Sequence, residues 1–176
     1  MIELITGNKN KIEESLRRIF ISFDPFKPEI KNAKLLTLIL FPTDGYHLTE
    51  KQYSSLIQTI SAVGNAEFYI SETEWEPDPF SKGHHWYCNN PTFEEYSEIS
   101  IGVENAIYSI EGKWGILISH ELHALMFSDA QFVKLFESEY LNSRKDKEEF
   151  LRNWRAIKKS GVKTDWLDGL VKILHN

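Results

Sequence analysis

The chain has 176 residues, 41% hydrophobic and 13% aromatic, enough apolar side chain for one independently folding core over residues 1 to 176 without a metal or disulfide staple. A lone cysteine, Cys88, excludes an intramolecular disulfide framework and makes a reducing, cytoplasmic setting the expectation. The formal net charge of -6 opposes sequence-independent attraction to nucleic-acid phosphates or anionic lipid, so neither partner is expected.

Polar residues from Asn8 to Glu14 interrupt the first twenty positions, so no leader peptide is expected. The run Leu35 to Phe41 is far shorter than the roughly 18 to 20 residues a membrane helix needs. Ile2 to Thr6 reads as an edge strand broken at Gly7. Ile12, Leu16, Ile19 and Phe20 then recur at helical spacing, which predicts a helix from about Asn10 to Ile21, ended by Pro25 and Pro28. Leu35 to Phe41, with only Thr37 polar, predicts a strand buried on both faces.

Thr49 and Gln52 form a capping-box pattern ahead of Tyr53, Leu56, Ile57 and Ile60 on one helical face, with Gly64 placed to end that helix. Ala66 to Trp75 alternates with period two and predicts a strand. Glu76 to Pro91 contains Pro77, Pro79, Gly83 and Pro91, and predicts a long irregular loop of the kind that often carries function. Asn105 to Ser109 and Trp114 to Ser119, joined through Glu111-Gly112-Lys113, predict a β-hairpin, with His123 to Phe127 as a third strand. Ser128 with Gln131 predicts another capping box. Two closing helices follow, one capped at Ser143 with Phe150, Leu151, Trp154 and Ile157 inward, and one starting at Thr164 or Asp165. This mixed order predicts an α+β fold, a mostly antiparallel sheet with a central hairpin or meander, flanked by helices and closed by two C-terminal ones.

Charge is spread unevenly along the chain. Between Ala66 and Glu111 stand ten acids and the single base Lys82, whereas Leu141 to Lys163 holds eight bases against three acids. Trp and Tyr supply rigid contact area, and carboxylates around them select a basic partner and speed its arrival. The expected partner-binding residues are therefore Glu74, Trp75, Glu76, Asp78, Trp86, Tyr87, Glu94, Glu95 and Glu98. His84, His85, Cys88, His120, Glu121 and His123 are residue types that bind zinc. The spacing His120-Glu121-Leu122-His123 nevertheless turns its two imidazoles apart on either a helix or a strand, so no metal or other cofactor is expected. Neither Cys88 nor Ser119 sits in an activating context.

Two short tracts carry resemblances. Thr6-Gly7-Asn8-Lys9-Asn10-Lys11-Ile12-Glu13-Glu14 resembles the N-terminal signature of the inosine triphosphate pyrophosphatase family, which implies a turn and helix N-terminus holding a nucleoside triphosphate and its metal. Glu104 to Ser109 and Lys113 to Glu121 look like a segment of small bacterial immunity-type proteins of polymorphic toxin systems. That second resemblance, taken with the acidic aromatic segment, implies a binding protein, not an enzyme, that covers a basic, toxin-like protein partner. The alternatives are a small metal-dependent nucleotide or phosphate hydrolase using the Asn8, Lys9 and Lys11 turn, and an adaptor without a toxin partner.

Overall fold

The computed structural model describes residues 1–75 and 78–174. Its strands are β1 (Ile2–Leu4), β2 (Phe20–Ser22), β3 (Glu29–Ile30), β4 (Leu36–Leu40), β5 (Glu67–Glu72), β6 (His85–Asn89), β7 (Asn105–Ser109), β8 (Gly115–Ile118) and β9 (Ala124–Ser128). Its helices are α1 (Asn10–Ile19), α2 (Glu50–Ala62), α3 (Pro79–Lys82), α4 (Phe93–Ser97), α5 (Ala130–Glu139), α6 (Ser143–Lys159) and α7 (Asp165–Ile173). Seven strands form one sheet in the order β1-β6-β5-β7-β8-β9-β4. Every neighbouring pair in it is antiparallel. β2 and β3 make a separate short ribbon. The expected α+β architecture, with its central meander and two closing helices, is the observed one.

Because side chains alternate along a strand, cross-strand register assembles continuous apolar rows. One row runs Trp86, Ile70, Ile107, Ile116, Met126, Leu38 across six strands. It packs against Tyr53, Leu56 and Ile60 of α2, Tyr96 of α4, and Phe132 and Phe136 of α5. The opposite face carries Tyr69, Ala106, Tyr108, Leu117, Leu125 and Phe127 beneath α1, α6 and α7. Helices on both faces make this a three-layer arrangement, which explains why strands read as nearly continuous apolar runs. β4 is buried on both faces as expected, with Leu38 and Leu40 on one side and Ile39 on the other, although it lies at the end of the sheet. No helix among the described residues is long and apolar enough to cross a membrane.

Several boundaries differ from the sequence reading. The stretch expected as an irregular loop from Glu76 to Pro91 holds α3 and the interior strand β6. Pro79 opens α3 at its first position, Gly83 ends it and Pro91 follows β6, so none of the three interrupts an element, and Asp78 caps α3 by accepting from Phe80 N–H at 3.0 Å. The first helix stops at Ile19, because Phe20 turns into β2 and packs edge-on against Phe127. At α5 the capping side chain is Asp129, not Ser128, accepting from Phe132 N–H at 2.9 Å. The Thr49 and Gln52 capping box of α2 is present as expected.

The hairpin turn between β7 and β8 shows why a glycine stands at position 112. Gly112 has φ +68°, and a Cβ there would lie 2.7 Å from the Ser15 carbonyl oxygen and 2.6 Å from Arg18 Cβ on α1. Strain and collision act together, so Gly112→Ala is expected to cost about 2 kcal/mol or more, read as a lowered urea midpoint with an unchanged m-value.

Candidate partner-binding surface

β5 ends and β7 begins at the same end of the sheet, where Glu72 pairs with Asn105. The chain leaves β5 through Thr73, whose N–H donates to the Glu104 carbonyl at 2.8 Å, and the exposed Glu74 side chain accepts from Glu104 N–H at 3.1 Å. Trp75 follows, 40% exposed. Its indole N–H donates to Glu72 Oε2 at 2.9 Å. The same oxygen accepts from His84 N–H at 2.9 Å and from His84 Nδ1 at 3.0 Å, while Glu72 itself is only 4% exposed. A buried carboxylate thus fixes a solvent-facing indole and an exposed imidazole.

Across the hairpin, His120 Nδ1 donates to Glu104 Oε1 at 2.7 Å, and its Nε2 lies 3.6 Å from Glu121 Oε1. Burial raises the pKa of Glu104 above the ordinary carboxylate value, and the His120 bond opposes that rise. The result is a rim of Glu72, Glu74, Trp75, His84, Glu104, His120 and Glu121, its side chains held by backbone, indole and imidazole donors. Fixed aromatic area amid carboxylates suits desolvating contact with a cationic surface, because little side-chain entropy remains to be lost.

The expected site residues are divided by the fold. Glu74 and Trp75 stand in the rim. Asp78 is spent on the α3 cap, and Glu76 lies outside the described residues. Trp86, expected as a loop anchor, is instead a core residue at 8% exposure, on the row that faces α2, α4 and α5. Burial on β6 removes it from any partner's reach. Tyr87, on the other face of β6, is half-buried and donates to Glu67 through its hydroxyl. Glu94, Glu95 and Glu98 belong to α4 and its C-terminal cap. Glu95 accepts from the Met1 amine at 3.2 Å, at the opposite end of the sheet from Glu74.

Glu72, His84, Glu104, His120 and Glu121 were not among the expected partner-binding residues. The Asn105 to Ile118 register places Glu104 opposite the start of the 119–123 turn, a signal that hairpin pairing alone contains. Nothing local marks Glu72, whose role depends on the return of the chain at His84.

The remaining chemistry-bearing residues are engaged internally. His123 is fully buried; its Nε2 donates to the Pro25 carbonyl at 3.2 Å, which leaves Nδ1 to accept from Ser119 Oγ at 2.9 Å. His85 Nδ1 meets Ser71 Oγ at 2.8 Å, and Ser71 meets Tyr108 Oη at 2.7 Å. Burial raises the Cys88 thiol to about 12, which keeps it unreactive. Among the described residues no three histidine, cysteine or acidic side chains gather as metal ligands. Comparison with protein-family models, curated proteins and solved structures finds no match.

Proposed function

We propose that this chain is a protein-binding module whose acidic rim covers a basic surface of a partner protein, in the manner of an immunity-type protein neutralising a toxin. The observation that carries the reading is Trp75, a large aromatic left 40% exposed and yet fixed by the buried Glu72 carboxylate. An exposed indole contributes nothing to the core, whereas an immobilised one is suited to act as an interface anchor. The surrounding carboxylates of Glu74 and Glu121 supply the field that draws in a basic partner.

The N-terminal turn supports the phosphate-hydrolase alternative less well. Asn8 Oδ1 accepts from Asn10 N–H at 2.9 Å, and Lys9 Nζ donates to the Gly83 carbonyl at 3.1 Å. The Asn8 bond closes its own turn, and the Lys9 bond ties that turn to the segment before β6.

The test is co-purification of the partner from cells producing the protein, the Trp75→Ala variant or the Glu74→Lys, Glu121→Lys double variant. A basic protein is expected with the wild type and at least about tenfold less of it with either variant, with little change in thermal midpoint because these side chains are exposed. Trp75→Ala acts on dissociation and the charge reversals on association, so only the latter effect fades at high salt. Equal recovery of every basic protein with all three forms would remove the reading. Protection of cells against the captured protein, lost with Trp75→Ala, is the specific expectation for an immunity role.

A further inference from the structure

The sheet is open at β1. Asn89 N–H donates to the Met1 carbonyl at 3.0 Å, and Ile5 N–H donates to the His85 carbonyl at 2.8 Å, so Met1, Glu3 and Ile5 are the residues that bond to β6. In an antiparallel ladder the bonding residues alternate. Ile2 and Leu4 therefore direct N–H and C=O away from the sheet, and among the described residues no other segment pairs with them. Leu4 is 51% exposed and Met1 50%. Edge strands in folded proteins are generally covered, charged or interrupted by proline; β1 is neither covered by another described segment nor interrupted by proline, and is protected only by its brevity and the charge of Glu3.

The two faces of this edge differ in chemistry. Ile2 and Leu4 stand beside Cys88 and Trp86 on the apolar face. Glu3 stands beside Tyr87 on the other, where the Tyr87 hydroxyl is joined to Glu67. An incoming strand thus meets apolar, acidic, apolar positions in succession. Self-pairing is disfavoured: the antiparallel register that uses both Ile2 and Leu4 sets Glu3 directly opposite its own copy, and like charges so placed destabilise a sheet.

We propose that β1 is a strand-addition site for an extended segment of a partner protein, with a lysine or arginine opposite Glu3 flanked by apolar residues facing Ile2 and Leu4. The segment becomes an eighth strand of the sheet, held by main-chain bonds to Ile2 and Leu4 and selected by its side chains. The far end of β1 adjoins the rim, because Leu4 pairs with Trp86 and His84 precedes β6, so one basic partner can engage both. The inference rests on the preceding reading only for the basic character of that partner.

The probe is a fluorescent, end-blocked hexapeptide of alternating valine and lysine, titrated against the full chain by anisotropy, with amide shifts followed by NMR. Saturable binding is expected, with the largest shifts at Ile2 and Leu4. Leu4→Pro removes an N–H that faces solvent, a position where an edge strand tolerates proline, and is expected to weaken binding at least about tenfold. N-methylation of the peptide on alternate amides does the same, and Glu3→Lys weakens binding without touching the backbone, which keeps the test decisive if the proline variant does not fold. Trp75→Ala leaves the peptide affinity unchanged, so failure of the rim and failure of the edge are separable. Binding insensitive to N-methylation and to Leu4→Pro is charge attraction alone and overturns the proposal, as does shift mapping to another surface or no saturable binding.

Discussion

Trp86→Ala is expected to lower the unfolding free energy by about 3 to 5 kcal/mol, the range for truncating a large aromatic in a packed core. Trp86 lies between Leu4 and Ile70 on the row that continues through Ile107, and its ring lies 6.0 Å from that of His84. Truncation opens space between β6 and the helices on that face, and collapse is limited because the neighbouring strands are fixed by their ladders. Trp75→Ala is expected to change stability far less, by about 1 kcal/mol, since the side chain is 40% exposed and lies outside both core clusters, and its bond to Glu72 can be replaced by water. Urea unfolding of both variants beside the wild type makes the comparison. A Trp86 variant as stable as the wild type would show that the 85–89 segment is not an interior strand. A Trp75 variant losing several kcal/mol would make that residue structural and withdraw the anchor from the proposed interface.

The second expected result is a loss of stability in mild acid, centred on His123. Burial lowers its pKa from 6.5 to about 4, so the folded chain resists taking a proton that the unfolded chain accepts. Above pH 6.5 both states are neutral and the stability is complete. As pH falls from 6.5 towards 4 the unfolded state gains a proton and the folded state does not, which removes about 3 kcal/mol by the bottom of that window and no more below it. Beyond the loss of solvation on burial, charging His123 would place a second N–H against Ser119 Oγ, which already receives Glu121 N–H at 3.1 Å and His123 N–H at 3.4 Å. His85 is lowered to about 4 as well, first by burial and then by the Lys9 charge, and acts in the same direction. Buried Asp146 and half-buried Glu104 are raised by burial; their effect has the opposite sign, sets in as pH falls through those raised values, and offsets part of the histidine decline. Unfolding measured at steps from pH 7 to 4 should show the decline, and His123→Gln, which retains a donor for Pro25, should flatten it. An unchanged slope in that variant, or an imidazole that titrates near 6.5 by NMR, would refute the assignment.

Much of the architecture was legible in the residues because it depends on local rules. The capping box at Thr49 needs only two side chains three positions apart. The hairpin follows from alternation around a glycine turn, and Gly112 is required there by its positive φ. Charge polarity is likewise a property of composition, and it drew attention to the stretch that holds Glu74 and Trp75. The elements at 79–82 and 85–89 are not legible in the sequence because proline and glycine mark where a chain bends but not whether the residues between bends pair with a neighbour. β6 is a strand because β1 and β5 lie on either side of it, a fact about residues up to 88 positions away.

The two tryptophans draw the same line most clearly. Both stand in one acidic, aromatic stretch, and nothing within several residues of either separates them. Tertiary structure places helices over the face that receives Trp86 and leaves Trp75 40% exposed, its indole held by Glu72 at the end of β5. It also sends Glu95 to the N-terminal amine and Asp78 to a helix cap while leaving Glu74 in the rim. The sequence by itself determined that acids are concentrated between Ala66 and Glu111 and that a mixed, antiparallel fold carries them. Which acids stand together, which aromatics reach solvent, and which strand edge stays open were decided only by packing, because burial depends on what covers a residue and not on what adjoins it along the chain.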